Sequence, residues 1–158
     1  ATILKKHPGI QGVLFDIPSV IQGAKEKLLK EGLLNRCNVV DGDFFNSVPQ
    51  GGDLYILKSI IHDWDEANCL RILKNCHKAM GKRGKLLLIE WVMPEIIDNA
   101  TNAVNLDLTM LMVSGGKERT EGEYRALFDS AGFQLNRIIP IPSGKSLIEG
   151  VPKPESYS

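Results

Sequence analysis

The chain has 158 residues, enough for one ordinary domain, and its 19 Lys plus Arg balance 19 Asp plus Glu to a formal net charge of zero. Hydrophobic residues make up 43%, which excludes a disordered chain. The charge balance argues against a general nucleic-acid binder or an electrostatic membrane anchor, and no apolar run approaches the ~20 residues of a membrane span. Neither nucleic acid nor a membrane is therefore expected as a partner. Cys37, Cys69 and Cys76 are an odd number without a C-x-x-C pair, the pattern of free thiols in a reducing compartment, so a cytoplasmic setting is expected.

Ile3 and Leu4 followed by Lys5, Lys6, His7 and Pro8 read as the last turn of a helix, as though the chain begins inside an element. Gly12 to Asp16 reads as a buried strand, and Ile17 to Glu31 as a helix with Ala24, Leu28 and Leu29 at helical spacing. Cys37 to Val40 is a second strand, and the mostly apolar run Asp53 to Ile61 a third. Glu66 to Met80 is the clearest helix, with Cys69, Ile72, Leu73, Cys76 and Met80 on one stripe. Lys85 to Glu90 is a fourth strand, and Asp98 to Val113 reads as a helix. Thr120 opens another helix through the capping box T-E-G-E, and Gly132 ends it. Phe133 to Ile139 and Ser146 to Gly150 close the chain as two strands.

Alternating strands and helices predict an α/β fold with a parallel sheet and helices on both faces. The last two strands are joined by a loop too short for a parallel crossover, so they should form an antiparallel hairpin on that sheet. Residues 1–150 are expected to form the domain and residues 151–158 a disordered tail.

In open α/β sheets ligands bind beyond the carboxyl ends of the strands. Asp16, Asp43, His62 and Glu90 follow or end four successive strands. Asp16 suits ribose hydroxyls or, equally, a helix N-cap before Pro18. Asp43, beside Phe44, suits an adenine amino group and ring, or a turn aspartate with core phenylalanines. His62 suits a general base, or is a bystander to a capping box of Asp63 and Glu66; Asp63 and Asp65 are expected to cap that helix, and the two readings are compatible. Glu90 ends an apolar strand, where a carboxylate needs a partner, and His62 on the adjacent strand end is available. Glu118 lies in a loop, where it is a site residue or a solvated charge. Lys58 is unexpected in an apolar strand; it snorkels or pairs with an acid. No metal site is expected, because Cys69 and Cys76 stand ~10 Å apart along a helix, too far to share one ion. No dinucleotide or P-loop glycine fingerprint is present.

The run K-S-I-I-H-D-W from Lys58 to Trp64 resembles the catalytic segment of S-adenosylmethionine-dependent small-molecule O-methyltransferases, of the plant caffeate and flavonoid type and its bacterial relatives. F-D-I-P from Phe15, G-D-F-F from Gly42, G-G-K-E-R-T from Gly115 and A-G-F from Ala131 occur in the matching order, and the resemblance covers His7 to Gly150. It implies a Rossmann-like methyltransferase sheet and S-adenosylmethionine as cofactor. Asp16 would hold the ribose, Asp43 and Phe44 the adenine, and Lys58 would bond near the cofactor. His62 would be the general base, flanked by Glu90 and Glu118. Asp63 and Met110 would meet the acceptor, a small molecule with a hydroxyl, phenolic by analogy.

Two parts of the family pattern are missing: the first strand with its glycine-rich loop, and an N-terminal helical region that builds the dimer and part of the acceptor pocket. The first strand would lie between those starting at Gly12 and Asp53, so its loss exposes two strand edges. The chain is therefore expected to be the C-terminal part of a longer enzyme, with a homodimer as the assembly. Folding alone, it would fill the gap by rearrangement or by exchange with another copy. The competing readings are a non-catalytic fragment that folds or self-associates without cofactor, and a relative with a different reaction on the same cofactor.

Overall fold

The protein is described by a computed structural model covering residues 1–94 and 116–154. The expected 98–113 helix, and Met110 with it, lie outside the described residues, as do residues 155–158. The chain divides into two compact units, Ala1–Gln50 and Gly51–Ser158.

The N-terminal unit opens with α1 (Thr2–Lys6), which carries Lys5 and Lys6 in its last turn. Arg36 donates to the carbonyls of Leu4 (2.7 Å), His7 (3.3 Å) and Pro8 (3.0 Å), satisfying groups the helix end would leave unpaired. Strand β1 (Gly12–Asp16) pairs in parallel with β2 (Cys37–Asp41), Gly12 opposite Cys37 and Asp16 opposite Asp41. Between them runs α2 (Pro18–Lys30), with Pro in its first turn and Ile17 as N-cap. Leu4, Leu28, Leu33 and Cys37 form the small core, whereas Leu29, expected on the apolar stripe, is 65% exposed.

The C-terminal unit holds a four-stranded sheet. Strands β3 (Leu54–Lys58) and β4 (Lys85–Glu90) are parallel. β4 is antiparallel to β8 (Ser146–Pro152), which is antiparallel to β7 (Phe133–Pro140), so the closing hairpin forms as its short loop requires. Helix α3 (Glu66–Ala79) buries Cys69, Ile72, Leu73 and Cys76, and Met80 follows them inside. Helix α4 (Glu121–Ser130) starts from the full Thr120–Glu123 capping box. Two-residue strands β5 (Val92–Met93) and β6 (Arg119–Thr120) pair in parallel, an element too short to leave any periodicity in the sequence.

Several boundaries differ from the sequence reading for physical reasons. The run Asp53 to Ile61 is not one strand: β3 stops at Lys58, Ser59 adopts φ 55°, and a 3-10 turn follows over Ile61–Asp63. β8 continues to Pro152, and Lys153 is held by its N–H to the Gly132 carbonyl (2.9 Å) and by Asp129 (2.5 Å). Among the described residues β1 pairs only with β2, and β3 only with β4. Each therefore keeps one unpaired edge, and the apolar Val13 on β1 and Leu54 on β3 are about half exposed.

Candidate active site

The site in the C-terminal unit is built on the 3-10 turn that follows β3. Glu90, at the end of the neighbouring strand β4, is fully buried, and its Oε1 accepts the N–H groups of Ile60 and Ile61, both at 2.9 Å. One carboxylate oxygen thus supplies acceptors for donors that neither strand nor turn satisfies. It also fixes the direction in which His62 leaves the backbone.

His62 stands against three carboxylates. Its Nδ1 lies 3.0 Å from Glu118 Oε1 and 3.6 Å from Glu90 Oε2, and its Nε2 lies 3.4 Å from Asp63 Oδ1. Its side chain is only 12% exposed, while Glu90 and Glu118 are at 0%. The hydrogen bond to Glu118 raises the imidazole pKa above its ordinary value near 6.5; burial opposes the rise, and the nearby Glu90, Glu118 and Asp63 charges support it. Burial pushes the Glu90 carboxyl above its usual range, against His62 and the two backbone donors. Of the two acids expected to flank His62, Glu118 is the nearer, across 56 residues of sequence.

Asp63 is not a helix cap. Asp65 is the N-cap of α3, accepting the Asn68 N–H at 2.8 Å, and Asp63 faces the imidazole instead. Lys58 ends β3 exposed, because β3 is an edge strand, and no ion pair joins it among the described residues.

Sequence reasoning left Arg119 unassigned. It is fully buried, and its guanidinium donates to the carbonyls on either side of His62 and Asp63. Its position in G-G-K-E-R-T, directly after Glu118, was the only signal. Gly116 in the same motif is required by contact: a Cβ there would stand 1.8 Å from the His62 carbonyl oxygen.

In the N-terminal unit, Asp16 ends β1. Its Oδ1 accepts the Ile17 N–H at 2.8 Å, and among the described residues its carboxylate has no other partner. The N-cap of α2 is Ile17, so the capping role does not explain Asp16. Asp43 follows β2 in a turn, accepting the Phe45 N–H at 2.8 Å and the Asn46 side-chain amide at 3.2 Å. Phe44 is half-buried and meets Phe45 edge-on at 4.8 Å. Gly42 lies so close to the Phe15 ring that a Cβ would approach it to 2.6 Å, which fixes a glycine before Asp43. Acceptor carboxylates at the carboxyl ends of two adjacent parallel strands, with an aromatic beside the second, fit a vicinal diol and an amino-bearing ring.

Residues 1–134 match the O-methyltransferase domain family. A phenazine O-methyltransferase of Lysobacter antibioticus is 44% identical over 152 residues, 96% of this chain and 44% of that protein. A methyltransferase of calicheamicin biosynthesis, solved with S-adenosylhomocysteine bound, superimposes with a TM-score of 0.87 at 39% identity, over 96% of this chain and 44% of the other. An O-methyltransferase of neocarzinostatin biosynthesis, solved with S-adenosylmethionine and 2-hydroxy-5-methyl naphthoic acid, gives 0.87 at 34% identity over the same shares. The chain spans less than half the length of these relatives. With a family match over most of its length and the His62 cluster in its C-terminal unit, the chain belongs to the O-methyltransferase domain family.

Proposed function

We propose that this chain carries the catalytic residues of an enzyme that moves a methyl group from S-adenosylmethionine to a hydroxyl, phenolic in the first instance, of a small molecule. The observation that carries the reading is the His62 Nδ1–Glu118 contact at 3.0 Å. Nδ1 has the nearer carboxylate, at 3.0 Å against 3.4 Å from Nε2 to Asp63, so in the neutral ring Nδ1 bears the proton and Nε2 the lone pair.

His62 then acts as general base. Nε2 takes the proton from the acceptor hydroxyl, whose pKa is about 10 for a phenol. Glu118 holds the Nδ1 proton and stabilises the imidazolium as it forms, with Glu90 behind it. Asp63, 3.4 Å from Nε2, is placed to receive the N–H once the proton has arrived, and to touch the acceptor. The cofactor supplies a methyl already activated on a sulfonium, so no protein nucleophile is needed. Asp16 would hold its ribose hydroxyls, Asp43 and Phe44 its adenine, and Lys58 would bond beside it. A homodimer and a cytoplasmic setting belong to the same proposal; three buried cysteines without a disulfide support the second.

Calorimetric titration of the chain with S-adenosylhomocysteine, with D16A alongside, tests the reading. Micromolar binding that is lost in D16A is expected. A folded chain that shows no binding, or binding that D16A leaves unchanged, overturns the cofactor assignment.

A further inference from the structure

We propose that Arg119 is the positioning residue of this site: its buried guanidinium sets the His62 turn against Glu118. The inference rests on His62 being the working residue of the reaction. Arg119 is fully buried. Nη1 donates to the Ile61 carbonyl at 3.1 Å and the Lys117 carbonyl at 3.3 Å. Nη2 donates to the Trp64 carbonyl at 3.2 Å and contacts Glu66 Oε2 and Cys69 Sγ, both at 3.4 Å. The one carboxylate among these partners, Glu66, has a side chain 60% exposed, so solvent weakens that pairing.

A buried cation is costly to desolvate, and its place in the core is repaid through the carbonyls it satisfies, which an apolar residue would leave without these donors. What guanidinium supplies is a rigid fork whose donors point in fixed directions. Here those directions are the carbonyls of Ile61 and Trp64, the residues that bracket His62 and Asp63. Gly116 completes the grip, since its backbone rests against the His62 carbonyl. Residues 116–119 therefore meet the 61–64 turn at three levels: Gly116 on the His62 backbone, Glu118 on its ring, and Arg119 on the flanking carbonyls. Because Arg119 adjoins Glu118 and lies in β6, paired with β5 just beyond Glu90, one side chain ties both carboxylates to the turn that carries the base. A lysine, a single point charge on a flexible stem, cannot make both carbonyl contacts in that geometry.

The sign of one measurement separates positioning from plain electrostatics. Removing a nearby cation alone would raise the His62 pKa. Losing the Glu118 contact lowers it toward 6.5, since that hydrogen bond is the largest cause of its elevation. Histidine ring-proton NMR titration of the whole chain, with His62 assigned through H62N, reads this directly. In R119K and R119M with native circular dichroism the His62 pKa should fall, and E118Q should lower it less in R119K than in the wild type, because only the Glu118 charge is then left to lose. An unchanged or higher pKa in folded R119K overturns the proposal. Should both variants fail to fold, the wild-type guanidinium decides: slowly exchanging, rotationally restricted Nη protons are expected, and fast-exchanging, averaged ones overturn it. Failure of the catalytic reading would show elsewhere, as methyl transfer surviving in H62N, while the pKa response to R119K would persist.

Discussion

The two units hold their candidate functional residues in opposite ways. In the N-terminal unit the carboxylates of Asp16 and Asp43 bond, among the described residues, only to groups one to three residues away. The core beneath them is Leu4, Leu28, Leu33 and Cys37, none fully buried. In the C-terminal unit His62, Glu90 and Arg119 make contacts across 29 to 58 residues. Ile61, Cys69, Ile72, Leu73, Leu86 and Leu88 around them are at 0% exposure. Chemistry that depends on ångström placement of a proton needs the second arrangement, because only tertiary contacts hold a turn against thermal motion. Recognition of a ligand tolerates the first, since ligand contacts can complete the order.

The largest expected effect tests that contrast in packing. Phe128 is fully buried, packs on Phe133 at 5.9 Å between ring centroids, and lies against Gly150. F128A should cost about 3–5 kcal/mol in urea unfolding, followed by the fluorescence of Trp64 and Trp91, both in the same unit. L33A should sit near the lower end of the large-to-small range, about 2 kcal/mol, because Leu14, Leu34 and Val39 around it are only partly buried and can close in. No tryptophan reports on residues 1–50, so amide hydrogen exchange must follow that unit. Equal losses, or exchange as slow in β1 as in β4, would break the comparison.

The second effect is electrostatic and belongs to the C-terminal unit alone. A histidine whose folded pKa is raised contributes stability that is fully present below the unfolded value near 6.5 and is lost as pH rises through the folded pKa. Stability should therefore decline as pH climbs above about 6.5. In E118Q the largest cause of elevation is gone, so the decline should be smaller and complete at lower pH. If His62 is the base, the alkaline rise in methyl transfer should move to lower pH in the same variant. A pH–stability curve identical in wild type and E118Q would show that the 3.0 Å contact does not persist in solution.

These contrasts follow what was legible in the sequence. Local signals worked: Thr120 and Glu123 form the capping box their spacing announces, and the Cys69–Ile72–Leu73–Cys76 stripe faces the core. The closing hairpin followed from loop length alone. What failed was structure imposed from a distance. The β-rich run ending at Ile61 breaks at Ser59 because Glu90, 30 residues away from Ile60, accepts the N–H groups of the turn. Asp63 and Asp65 both read as caps of the helix that starts at Glu66, yet only Asp65 caps it, because Asp63 ends the 3-10 turn and faces His62. Arg119 was silent because nothing local to a charged residue in a loop motif marks it as buried. Its partners lie 50 to 58 residues away, except for the Lys117 carbonyl.

The smallest effect sharpens the comparison through two aspartates of similar local appearance. Asp65 accepts the Asn68 N–H from the N-cap of a helix whose inner face is fully buried. D65A should cost about 1 kcal/mol, the ordinary loss for an N-cap acceptor. The Asp16 carboxylate accepts, among the described residues, only the N–H of its neighbour Ile17, which itself caps α2 without side-chain help. D16A removes no helix cap and opens no cavity, so its loss should stay within about 0.5 kcal/mol by thermal or urea melting. The pair therefore separates two uses of one residue type: an aspartate that holds its fold together, and one whose carboxylate the fold leaves available. If D16A destabilised the chain as much as D65A, loss of S-adenosylhomocysteine binding in D16A could be ascribed to folding. Only the smaller loss makes that variant a direct probe of the ribose contact.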